Sequence, residues 1–158
     1  VHGQPGLGTA FTIYLPRAHY SALPQEIRRP PLSVRGVETI LAVEDTDDLR
    51  EILCSALRKN GYHVIAAKDG EDALTKFEKN RDSIDLVVTD IMMPGMSGPE
   101  LAKKILALRS EVRVIFLSGY IGNTFEKVDH QFDQSVGFIE KPFSVAHLGE
   151  KVRQALSN

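Results

Sequence analysis

Residues 86–100 read LVVTDIMMPGMSGPE, and the order of residue types in this stretch decides the fold. Leu86–Thr89 is a continuous apolar run without polar alternation, the pattern of a strand covered on both faces. The run stops at Asp90. Ser97-Gly98-Pro99-Glu100 then has the form of a capping box, followed by Leu101, Ile105 and Leu108 on one helical face. A buried strand, an acid at its end and an amphipathic helix make one unit of a parallel α/β sheet.

Working outward, the same unit recurs. Thr39–Val43, His63–Ala67, Val112–Leu117 and Gly137–Ile139 are further short apolar runs. Between them the spacing predicts helices. The first carries Leu49, Ile52, Leu53, Ala56 and Leu57 inward and stops at Asn60-Gly61. The second starts at Asp69 as N-cap and buries Ala73, Leu74 and Phe77. The fourth has the least regular pattern, with Phe125, Val128 and Phe132. The fifth begins near Ser144 and buries Val145, Leu148, Val152 and Leu156. Five alternating units imply a doubly wound α/β domain with a five-stranded parallel sheet and helices on both faces.

Upstream, residues 1–16 are glycine-rich and then alternate over Phe11-Thr12-Ile13-Tyr14-Leu15, which predicts one strand. Residues 17–36 hold Pro24, Pro30 and Pro31 among polar residues and read as a linker, so the domain is expected over 37–158. The 158 residues carry a formal charge of -2, too weak a field to draw in nucleic acid or a membrane surface. Cys54 is the single cysteine, so no internal disulfide can form and a cytoplasmic setting is expected. No apolar run reaches the ~18 residues that span a bilayer. His2, His19, His63, His130 and His147 lack the sequence context of a phospho-accepting histidine, and Asp47 and Asp48 read as helix N-terminal charges.

The polar residues at the ends of the runs carry the chemistry. The first run ends in Glu44-Asp45, the third in Asp90, the fourth in Ser118 and the fifth in Lys141. In an open α/β sheet the carboxyl ends of the strands share one edge, where ligands bind. That strands end at the surface explains any one of these residues, but poorly explains three carboxylates, a hydroxyl and a lysine on one rim. Three close carboxylates repel unless a cation neutralises them, and hard oxygen donors select Mg²⁺ or Mn²⁺. An aspartate can attack a phosphoryl group, and a metal, a lysine and a hydroxyl can stabilise the charge on its oxygens.

The stretches LAVEDTDDLR, VVTDIMMPGMSG, VIFLSGY and GFIEKPF resemble the signature blocks of two-component response-regulator receiver domains. The resemblance implies a flavodoxin-like strand order in a three-layer α/β/α domain that accepts a phosphoryl group from a phosphohistidine. It implies Asp90 as the phosphorylated residue, Asp45 as a direct Mg²⁺ ligand, Glu44 acting largely through water, and the Met92 backbone carbonyl on the metal. It further implies Ser118 as a switch hydroxyl, Lys141 on a phosphoryl oxygen, a cis bond before Pro142, and Phe138 as an aromatic switch. The expected partner is a histidine kinase core or a histidine phosphotransfer protein, with homodimerisation possible through the fourth helix, fifth strand and fifth helix.

The acidic pair here is Glu-Asp where Asp-Asp is commoner. Met92 and Tyr120 flank the pocket with large side chains, from which a long-lived phosphoaspartate is expected. GLGTAFTIYLP resembles the closing strand of a histidine-kinase ATPase domain, which implies a hybrid sensor kinase as parent. Its glycines neither follow a strand nor open a helix, so a dinucleotide fingerprint fits poorly. Two other classes compete. A phosphohydrolase with an aspartate nucleophile commonly needs an acid two residues on, and Met92 stands there; a pseudo-receiver would lack one of the acids or the lysine. With the fifth helix closing the chain, the output is expected to be a partner and not an appended domain.

Overall fold

The computed structural model describes residues 2–4, 8–10, 12–14, 36–119, 132 and 136–157. The chain divides into two compact units, Val1–Pro31 and Leu32–Asn158.

In the first unit, His2–Gln4 (β1) and Gly8–Ala10 (β2) pair antiparallel, His2 opposite Ala10. Gly8 has φ 87°, a left-handed conformation that glycine adopts without steric cost. This corrects the sequence expectation: Thr12–Tyr14 has no regular secondary structure, and Ile13 and Tyr14 are exposed. An alternating run becomes a strand only where a second strand takes up its backbone groups, and β1 pairs with the glycine-containing segment before it. Phe11 and Leu15 lie outside the described residues.

The second unit is a five-stranded parallel sheet built from Thr39–Val43 (β3), His63–Ala67 (β4), Ile84–Asp90 (β5), Arg113–Ser118 (β6) and Val136–Glu140 (β7). The order is β4-β3-β5-β6-β7, the flavodoxin-like arrangement. The chain leaves β3 to one side for β4 and returns past it to β5. The strand order therefore reverses between β3 and β5, and their carboxyl ends flank the crevice.

Three helices between the strands have visible causes. Asp47–Lys59 (α1) starts after Thr46 and ends at Asn60 and Gly61, whose φ is 95°. Gly70–Lys79 (α2) is capped by Asp69, whose carboxylate accepts the Asp72 N–H at 2.8 Å. Gly98–Leu108 (α3) opens with Ser97 and Glu100: the Ser97 N–H donates to Glu100 Oε2 at 2.9 Å and its hydroxyl to the same oxygen at 2.6 Å. The C-terminal helix, the fifth of the sequence pattern, spans Val145–Ser157. The fourth helical stretch lies outside the described residues except for Phe132, which sits in a bend with its ring 5.4 Å from that of Phe116.

Alternate residues of each strand feed two cores. Leu41, Val43, Val87, Val114 and Phe116 pack with α2 and α3 residues such as Phe77, Leu101 and Ile105. Ile40, Ala42, Leu86, Val88 and Ile115 pack with Leu53 and Leu57 of α1 and Leu148 and Val152 of the C-terminal helix. Three inward assignments are overturned. Leu49 is 46% exposed, Ile52 61% and Val145 50%. Successive helical residues turn by about 100°, so burying Leu53, Cys54 and Leu57 rotates Ile52 onto the opposite flank, toward solvent. Leu49 and Val145 occupy first turns, and Val145 lines an open groove with Ile52.

Candidate functional site

The site grows from the carboxyl ends of β3, β5 and β6 and from the turn after β7. Glu44 follows β3 directly and is 2% exposed, its N–H donating to Ala67 O at 3.2 Å. Asp45, next in the chain, is exposed. Asp90 is the last residue of β5, and one carboxylate oxygen from each of Glu44, Asp45 and Asp90 lies within 4.8 Å of the others.

Lys141 reaches into this group. Its ammonium donates to Glu44 Oε2 at 2.6 Å and to Asp90 Oδ2 at 2.7 Å. The residue is held by its own N–H, which donates to Ser118 O at 2.7 Å, and the following Lys141–Pro142 bond is cis. Burial alone would lower the lysine pKa, but the hydrogen bonds and charges of Asp90 and Glu44 outweigh it and hold the ammonium above its ordinary value. Three carboxylates against one ammonium leave a formal charge of −2. Hard oxygen donors carrying that charge suit a divalent cation.

The other residues stand around this centre. Ser118 ends β6, one residue beyond Leu117, which is in register with Asp90; it is 6% exposed. Met92 donates its N–H to Asp90 Oδ1 at 3.1 Å, and the residue is 76% exposed. Phe138 lies in mid-strand on β7, partly buried, its ring 5.5 Å from that of Phe116. Tyr120 lies outside the described residues.

Sequence reasoning missed two supports. Arg50 donates to the Glu44 carbonyl at 2.9 Å and also reaches Asp47, so it braces the acidic turn from the first turns of α1. Its position six residues after Glu44 was the available signal. Gly98 was read only as part of a cap, yet a Cβ there would lie 2.1 Å from Asp90 O. The start of α3 therefore sits against the backbone of Asp90, and Gly98 donates its N–H to Ile91 O at 3.1 Å.

Comparison with known proteins agrees with this geometry. The family model of the response regulator receiver domain matches residues 40–153. Sensor kinase CckA of Brucella abortus is 34% identical over 162 residues, covering 97% of the chain but only 17% of that kinase. Among solved structures, the receiver domain of the hybrid histidine kinase CckA is 39% identical, with a TM-score of 0.64 over 75% of this chain and 98% of that one. The CheX–CheY–BeF3–Mg²⁺ complex of Borrelia burgdorferi is 28% identical, with a TM-score of 0.68 over 75% of this chain and 90% of that one. The family match, the strand order and the acidic cluster lead to one conclusion: the chain belongs to the response regulator receiver domains, the phosphoryl-accepting modules of two-component signalling.

Proposed function

We propose that Asp90 is the phosphoryl acceptor, in a site that takes Mg²⁺ on Asp45, Asp90 and the Met92 carbonyl, with Glu44 acting largely through water. The observation that carries this reading is the Lys141 ammonium bridging Glu44 and Asp90 inside a three-carboxylate cluster. A bound divalent ion would neutralise the cluster and draw off charge from the phosphoryl oxygens. An Asp90 carboxylate oxygen attacks phosphorus, the phosphorus–nitrogen bond of the donor's phosphohistidine breaks, and the imidazole leaves, taking up a proton. Lys141 and Ser118 then pair with phosphoryl oxygens, and the added charge biases Ser118 and Phe138.

Met92 stands where a phosphohydrolase would commonly place its acid. A thioether has no proton to give, so that alternative is disfavoured.

The phosphodonor is a histidine kinase core or a histidine phosphotransfer protein. Leu49, Ile52 and Val145, exposed on α1 and the start of the C-terminal helix, are the apolar residues it would meet. A second copy meeting the face of the fourth helical stretch, which lies largely outside the described residues, β7 and the C-terminal helix is the remaining partner reading. The parent is a hybrid sensor kinase, with residues 1–16 the end of its ATPase domain, 17–36 a linker and 37–158 the receiver. Supporting this, the CckA match extends over 97% of the chain, beyond the 40–153 of the family match.

The deciding experiment is intact mass after incubation with acetyl phosphate and Mg²⁺. A phosphoryl adduct is expected on the wild type, absent with chelator and absent from Asp90→Asn. Equal labelling of Asp90→Asn would overturn the assignment.

A further inference from the structure

The acceptor lies at the carboxyl ends of the strands. At their amino ends a second group of residues takes no part in it. Gly36 is buried and donates its N–H to Asn60 O at 3.0 Å. A Cβ at Gly36 would lie 1.8 Å from Tyr62 Cε1, so the backbone runs flat against this ring, which is only 4% exposed. On the same ring sits Arg153 of the C-terminal helix, its guanidinium carbon 5.8 Å from the ring centroid. Arg153 Nη2 donates to both carboxylate oxygens of Glu38 at 2.9 Å. Asn60 completes the contact: its amide donates to Ala56 O at 2.9 Å, and a Cβ on Gly149 would lie 3.2 Å from its Oδ1. Gly36 and Glu38, on either side of the exposed Val37, thus tie the chain ahead of β3 to the end of α1 and the C-terminal helix.

The segment from Lys141 through that helix touches both ends of the sheet. Lys141, four residues before the helix's first residue, holds Glu44 and Asp90, while Arg153, in the helix's ninth position, holds Glu38. From Val145 to Arg153 the chain is a stiff helical rod rising about 1.5 Å per residue, which Lys141 joins through the short stretch 142–144. Resting on the proposal that Lys141 transfers from the Asp90 carboxylate to its phosphoryl group, we propose that the Gly36–Glu38–Tyr62–Arg153 clamp reports the state of Asp90 to the chain preceding Gly36, through the C-terminal helix. Re-seating Lys141 pulls the start of the helix, and the far end follows. A bond of 2.9 Å is lost beyond about 3.5 Å, so a shift well under an ångström opens the clamp. Arg153 Nε is buried without a hydrogen-bond partner among the described residues. An unsatisfied buried donor disfavours the closed arrangement against one that satisfies it, which makes the clamp easy to displace. Coupling of this kind is reciprocal, so a clamp held shut disfavours the phosphorylated state.

The test uses the whole 158-residue chain with Mg²⁺, with and without beryllofluoride. Fluorine NMR reports whether the mimic binds, and hydrogen exchange follows the Gly36 and His63 amides, which donate to Asn60 O and Glu38 O. Exchange at both is expected to accelerate about tenfold on binding, within the usual range for two coupled sites. In Arg153→Gln and Glu38→Gln, exchange is fast in both states and the difference is lost, while beryllofluoride still binds. Binding without a change in wild-type exchange overturns the clamp and leaves the acceptor reading intact. A wild-type difference that survives in either variant also overturns it. Absence of bound beryllofluoride overturns the acceptor reading, and the clamp with it.

Discussion

Lys141 has two roles that separate under different conditions. Without a divalent ion its ammonium compensates Glu44, a carboxylate only 2% exposed. Lys141→Gln leaves that charge unpaired, and in chelator it is expected to cost about 3 kcal/mol of unfolding free energy by denaturant titration. Adding Mg²⁺ narrows the gap, because the ion takes over the compensation. Phosphorylation from acetyl phosphate falls by about 10²-fold in the same variant, the usual effect of losing one preorganised charge at a reacting oxygen. Met92 acts on the reverse step. The residue is 76% exposed, and its N–H donates to Asp90 Oδ1. Met92→Ala is expected to shorten the phosphoaspartate half-life several-fold by admitting water, measured by loss of the phosphoryl adduct in Mg²⁺ buffer. An unchanged half-life would remove Met92 from the explanation.

At the scale of an element, the start of α3 separates stability from chemistry. Ser97→Ala removes the hydroxyl bond to Glu100 at an exposed cap, with an expected cost of about 1 kcal/mol and unchanged phosphorylation. Gly98→Ala, one residue on, drives a Cβ to within 2.1 Å of Asp90 O unless the helix or the strand end moves. Overpacking of this kind costs about 1–3 kcal/mol, and here phosphorylation should fall as well, since the displaced backbone carries Asp90. Thermal melts paired with acetyl phosphate labelling distinguish the two variants. The helices also mark where local pattern stops being informative. Caps at Asp69 and Ser97 and the stop at Asn60-Gly61 are nearest-neighbour chemistry and were legible. Which flank of α1 is covered was not, because Leu49 and Ile52 satisfy the helical period as well as Leu53 and Leu57 do.

At the scale of the whole molecule, the Glu38–Arg153 pair joins residues 115 positions apart. Burial alone would raise the Glu38 pKa. The N–H groups of Glu38 and Val37 and the Arg153 guanidinium outweigh burial and hold it below the ordinary 4.5. A depressed carboxylate pKa contributes stability that is present above the unfolded value and lost as pH falls through the folded one. Wild type and Glu38→Gln should therefore differ in stability by a constant amount above pH 4.5 and converge below it, in denaturant titrations across that range. The strands, their parallel character and the acids Glu44, Asp45 and Asp90 at their ends follow from the sequence alone, because full burial forces apolar runs and polar residues begin where burial stops. The β1–β2 hairpin, the brace of Arg50 on the acidic turn, the close seat of Gly98 and the Arg153 clamp were decided only by the tertiary structure. Each depends on which group a side chain or backbone meets once the chain has folded, which residue type along the chain does not specify; for Arg50 the six-residue spacing from Glu44 offered a candidate and no more.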